Sequence, residues 1–136
     1  MLSELRRPQP DSGLSSWLVQ IVESRLFISS ITLGEIQKGI ARLETTQRRT
    51  ALQVWLDQDL QQRFEGRILA VDDAVAKQWG LLQGEALRSG RAVPVIDAQI
   101  AATALVANLC VVTRNVQDFQ HFPVQLLNPW RAGSGV

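Results

Sequence analysis

LFISSITLGEIQKGI, residues 26–40, changes its periodicity part-way along. Residues 26–31 form a short apolar run with β-branched members, which predicts a buried strand. From Thr32 the rhythm becomes helical: Leu33, Ile36, Ile40 and Leu43 share one face. A strand that passes into a helix with almost no loop is one half of a βα unit.

Working outward, the same alternation returns. ILAV at 68–71 reads as a strand, and Asp72 or Asp73 caps a helix carrying Val75, Trp79, Leu82 and Ala86. Ser89-Gly90 closes that helix. An alanine-rich helix is predicted over 96–109, after Pro94, and LCVVT at 109–113 is the next strand. A short helical turn at 116–121 and a last strand at 124–127 follow. Between the first two strands, Leu52, Trp55, Leu56, Leu60 and Phe64 mark another helix, ended by Glu65-Gly66-Arg67. Upstream, PQPDSG at 8–13 is a turn, and Leu14, Trp17, Leu18, Ile21 and Val22 recur at helical spacing. Residues 129–136 are a tail. Strands that read as continuous apolar runs between helices predict an α/β fold with a mostly parallel sheet covered on both faces.

Composition sets the outer limits. A chain of 136 residues suits one domain, 1–136, with a single core. Hydrophobic residues at 46% and charged residues at 20% are those of an ordinary globular protein. Cys110 is the only cysteine, so there is no internal disulfide; its apolar setting predicts a buried, inert thiol in a reducing cytoplasm. No run approaches the ~18 apolar residues of a membrane span, and no signal peptide is legible. The net charge of +1 neither demands nor excludes nucleic acid. Trp17, Trp55, Trp79 and Trp130 read as core or interface residues, three of them in register with apolar helix faces.

Acidic residues follow almost every strand. Glu35 lies four residues past the first, Asp97 opens the alanine-rich helix, Asn115 and Asp118 follow LCVVT, and Glu4 stands near the start. In a parallel sheet such groups converge at one edge. Clustered carboxylates repel, and their pKa values rise unless a cation neutralises them. Hard oxygen donors select Mg²⁺ or Mn²⁺, which orient and acidify water beside a phosphodiester. Each residue also has a plainer reading. Thr32 and Glu35 have capping-box spacing, Asp97 and Asp118 sit where helix caps would, and Asn115 suits a turn. His121, the only histidine, has no partner at metal-ligand spacing.

The segments LSELRRPQP, SSITLGEIQKGI, DAQIAATAL, VVTRNVQDF and LLNPW occur in this order along the chain. Together they resemble the PIN-domain ribonucleases, specifically toxins of the VapC/FitB type from bacterial type II toxin–antitoxin pairs. The resemblance implies a three-layer α/β/α domain and Mg²⁺- or Mn²⁺-dependent hydrolysis of RNA. It implies Asp97 and Glu35 as metal-holding catalytic residues, with Asn115 or Asp118 as a fourth site residue. Glu4 and Thr113 would support the site, and Arg114 would contact phosphate. It also implies a homodimer and a cognate antitoxin. In the family pattern the LSE segment follows a strand ending in Asp-Thr-Asn-Val, whose aspartate holds metal. Met1 stands at the valine position, so that first, central strand is expected to be missing here, through a mis-assigned start codon.

Three readings rival this one. The first keeps the fold without the chemistry: an inactive, truncated domain that binds an antitoxin or dimerises. The second is a receiver domain, suggested by ILAVDDAVA, but no lysine follows Lys77 to complete its pocket. The third is a non-enzymatic interaction module, with the apolar, tryptophan-bearing helix 50–64 as a dimer face.

Overall fold

Ser29 decides where the first strand ends. In the computed structural model, which describes residues 25–128, β1 is Ile28–Ser29 and α1 is Ser30–Ala41. Ser29 is extended (φ −80°, ψ 145°), and its Oγ accepts the N–H of Ile31 at 3.0 Å, which caps the helix. The strand is therefore shorter than 26–31, and the helix begins before Thr32. Thr32 is carried inside the first turns of α1, on the buried face with Ile36 and Ile40. The turn at 8–13, the helical pattern at 14–22, Glu4, Trp17, Trp130 and the tail all lie outside the described residues.

Thr46 caps α2 (Gln47–Val54) by accepting the N–H of Arg49 at 3.4 Å. The helix runs on through a π-helical stretch, Trp55–Leu60, and a last turn, Gln61–Arg63. The wider π turn buries both Leu56 and Leu60. Gly66, at φ +76°, reverses the chain. Arg67 then ties this corner to β1: its Nη1 donates to the Leu26 carbonyl at 2.9 Å, and its guanidinium lies 5.1 Å from the Phe64 ring centroid. β2 (Ile68–Leu69) pairs parallel to β1, Ile28 opposite Ile68 and Ser29 opposite Leu69.

Asp72 caps α3 (Asp73–Arg88), accepting the Val75 N–H at 2.9 Å, and Gly90 at φ +73° closes it. α4 (Val95–Ala107) starts after Pro94 and ends on Asn108, which takes the left-handed conformation asparagine tolerates (φ 57°). β3 (Val111–Val112), α5 (Val116–Phe119) and β4 (Leu126–Leu127) complete the order, and β3 pairs parallel to β4.

The expected single sheet is not continuous among the described residues: the strands form two parallel pairs, β1–β2 and β3–β4. A cavity of about 210 Å³ is lined by β1 on one side and β3 on the other. Each pair has its own apolar core. Leu26, Ile28, Ile36, Ile40, Leu56, Leu60 and Phe64 form the first. Val75, Leu82, the alanines of α4, Val111, Phe119 and Phe122 form the second. Trp55 and Trp79 pack against these cores as half-buried residues, as the periodicity predicts. Cys110 corrects a sequence expectation, because it is exposed rather than buried. β3 begins only at Val111, and alternation turns Val111 and Thr113 inward, which leaves Cys110 facing out. Partial burial of the thiol in the cavity wall still pushes its pKa up, so it is not an activated nucleophile.

Candidate active site

Carboxylates from two other elements act electrostatically on Asp97. Asp97 is in the first turn of α4, Asp118 in the first turn of α5, and Glu35 midway along α1. The geometry settles the competing cap readings. Ser29, not Thr32, caps α1, so Glu35 is too far along the helix for a capping box. Pro94 holds the cap position of α4, so Asp97 is not its cap, and Asp118 is likewise inside its helix. Asn115 holds the cap position of α5, but its side chain makes no capping bond. Instead its N–H donates to the buried Thr113 Oγ1 at 3.0 Å, which sets the turn after β3.

The electrostatics join the three. Asp97 is half-buried, and its pKa is raised above 3.8, first by burial, then by the charge of Asp118, then by that of Glu35. Glu35 also faces Lys38 at 3.9 Å on the open surface of α1. An acid held in the field of two others is a place where added positive charge is favourable.

The donor set fits a hard dication of a particular kind. Among the described residues no three Asp, Glu, His or Cys side chains gather closely enough to chelate an ion together. Mg²⁺ is commonly held by one or two carboxylates and several waters rather than by a closed protein cage. Asp97, with Glu35 and Asp118 at longer range, suits that pattern. Arg114 is exposed beside the site, and its carbonyl accepts from Asn128 Nδ2 at 3.5 Å. Thr32, read in the sequence as the cap of α1, instead lies on its buried face. The signal for Thr32 was present, since it stands four residues before Ile36 and eight before Ile40.

A half-buried acid in the field of two other carboxylates makes this a candidate site for hydrolysis of phosphodiesters with a divalent ion. The chain belongs to the PIN-domain family, whose model matches residues 5–124. It is 33% identical over 130 residues to Toxin FitB of Neisseria gonorrhoeae, covering 96% of this chain and 94% of that protein. It is 31% identical to VapC ribonuclease Y4jK of Sinorhizobium fredii over 131 residues, 96% of this chain and 93% of the other. Among solved structures, FitAB bound to an IR36 DNA fragment superposes with a TM-score of 0.85 at 32% identity, covering 95% of this chain and 90% of that one. PIN-domain ribonucleases are generally dependent on a divalent metal. No helix among the described residues is long and apolar enough to cross a membrane.

Proposed function

We propose that this chain is a metal-dependent ribonuclease, the toxin of a toxin–antitoxin pair, acting in the cytoplasm. The observation that carries the reading is the electrostatic convergence of Asp118 and Glu35 on Asp97 within a PIN domain. Mg²⁺ or Mn²⁺, when bound, would supply an acidified water and screen the charge growing on the phosphate. Asp97 would be the main holder of that ion, with Glu35 and Asp118 acting on it from the neighbouring helices. Asp118 is preferred to Asn115 as the fourth site residue, because its charge acts on Asp97. Arg114, exposed next to Asn115, is assigned to contact substrate phosphate. The exposed single strands of RNA loops suit an open site of this kind.

The names of the relatives support the remaining assignments: a toxin, a ribonuclease, and a complex with a second protein on DNA. On that basis the partner is an antitoxin; the homodimer follows from the family resemblance alone. The test is cleavage of a structured RNA by the purified protein with Mg²⁺ or Mn²⁺ and with chelator. Asp97→Asn is expected to lower the rate by about 10² or more while the circular dichroism spectrum stays native. Asp118→Asn should cost more than Asn115→Ala. Metal-independent cleavage would overturn the metal's role, and antitoxin binding with no cleavage under either metal would favour an inactive binding domain.

A further inference from the structure

Helices α1, α2 and α3 are each started by a side chain of their own: Ser29, Thr46 and Asp72 accept first-turn N–H groups. α4 is started differently. Its cap position is Pro94, which makes no side-chain capping bond and, as a proline, has no N–H to give. Asp97 lies inside that first turn. An uncapped helix start frays readily, so Asp97 keeps its place only if another element fixes the turn.

The tie comes from α3. Trp79 Nε1 donates to Gln83 Oε1 at 3.1 Å, and Gln83 Nε2 donates to the Val93 carbonyl at 3.0 Å. Chemistry fixes the order of this relay. An indole N–H can only donate, so Trp79 claims the oxygen of the Gln83 amide and leaves its nitrogen for Val93. Both bonds are partly buried, which strengthens them against competing water. Trp79, Val93 and Ile96 also pack against the second core, which seats the apolar side of the same turn. At the other end of the connection, the Arg91 N–H donates to the Ala86 carbonyl at 2.8 Å, just after the left-handed Gly90. The segment between α3 and α4 is thus held at Arg91 and at Val93, and the second hold falls immediately before Pro94.

We propose that Gln83, oriented by Trp79, is a positioning residue for Asp97: by holding the Val93 carbonyl it fixes where α4 begins, and so where the Asp97 carboxylate stands relative to Glu35 and Asp118. The inference rests on reading Asp97 as the holder of a divalent ion. Gln83 acts on the site through the main chain of residues 93–97 and not by contact with ion or substrate. The competing role is a brace for the packing of α3 on α4, with no consequence for Asp97.

Two readouts on the full chain separate these roles. One is Mn²⁺ affinity by titration calorimetry. The other is hydrogen exchange of the Ala98 amide, whose 3.1 Å bond to the Pro94 carbonyl closes the first turn of α4. Gln83→Met keeps the side-chain volume and removes both hydrogen bonds of the relay. It is expected to weaken Mn²⁺ binding about tenfold and to speed Ala98 exchange about tenfold. Trp79→Phe removes only the N–H that orients the amide, so a smaller loss in the same direction is expected. The double variant should lose no more than Gln83→Met alone, because Trp79 acts through Gln83. Leu82→Ala, a buried neighbour on α3, is the control for general instability: it should lower Tm more than Gln83→Met and keep Mn²⁺ affinity within about twofold. Unchanged Mn²⁺ affinity in Gln83→Met overturns the proposal whatever Tm does, and so does weakened affinity with unchanged Ala98 exchange. An equal loss of Mn²⁺ in Leu82→Ala overturns it too, by tracing the effect to instability. Should Gln83→Met not fold, Trp79→Phe decides by the same two readouts. A wild-type chain that binds no Mn²⁺ fails differently: it removes the metal reading itself, and the proposal with it.

Discussion

Beneath β1 and β2 the fully buried side chains are Phe64, Ile28 and Ile40; beneath β3 and β4 the centre of the core is Ala98, Ala101 and Ala102 of α4. The first core closes by filling volume. Phe64 is 0% exposed and carries two arginines, Arg63 and Arg67, against its ring. The second closes by letting main chains approach, since alanine allows α3 to lie along α4 without a gap. The acidic site draws on both halves: Glu35 comes from the first, Asp97 and Asp118 from the second. The precision of the site therefore depends on two cores that tolerate opposite kinds of change.

Truncation in the large-residue core has the largest expected effect. Phe64→Ala should destabilise the fold by about 3–5 kcal/mol in denaturant titration, and it also removes the surface on which Arg67 rests. A loss near 1 kcal/mol would show that this core collapses around the void and is less tightly built than the comparison holds. Enlargement should be the damaging change in the other half. Ala101→Leu is expected to cost about 1–3 kcal/mol, whereas Val106→Leu on the exposed side of the same helix should stay within about 0.5 kcal/mol. Equal effects at the two positions would end the distinction.

Asp97 tests the boundary between the halves. The fold raises its pKa, so the native state holds the proton more tightly than the unfolded chain does. Such a group loses stability as pH rises from its ordinary value through the raised one. Without added divalent metal, Asp97→Asn should therefore raise Tm by about 1–3 °C at neutral pH, a small gain because the group is partly solvated. The gain should vanish below pH 3.8, where Asp97 is protonated in the folded and the unfolded chain alike. A melting series from acid to neutral pH checks the sign. Smallest of all, Lys38→Ala should change stability by no more than about 0.5 kcal/mol, since the Glu35–Lys38 pair is solvent-exposed.

Much of this was legible in one dimension. The helical patterns that led to α1 through α4 each met a real helix, and Asp72 is the cap its position suggests. The family resemblance drawn from five segments matches the family found over residues 5–124. The errors share a cause. Strand lengths were overestimated because apolar runs such as 26–31 continue past the strand into the buried first turn of the next helix. Thr32 was misplaced because serine and threonine are equally good caps, and only the path of the chain chose Ser29. Cys110 was misread because apolar neighbours describe a segment, whereas burial belongs to one face of it.

By itself, the sequence determined which segments are helices, which core is bulky and which is small, and which acids follow strands, because periodicity and side-chain volume are local properties. Tertiary structure decided the rest. The field on Asp97 exists only because α1, α4 and α5 bring three charges together, and electrostatic energy depends on distances in space. The cavity walled by β1 and β3 arises for the same reason: its two sides lie more than eighty residues apart in the chain and meet only when the two cores are assembled.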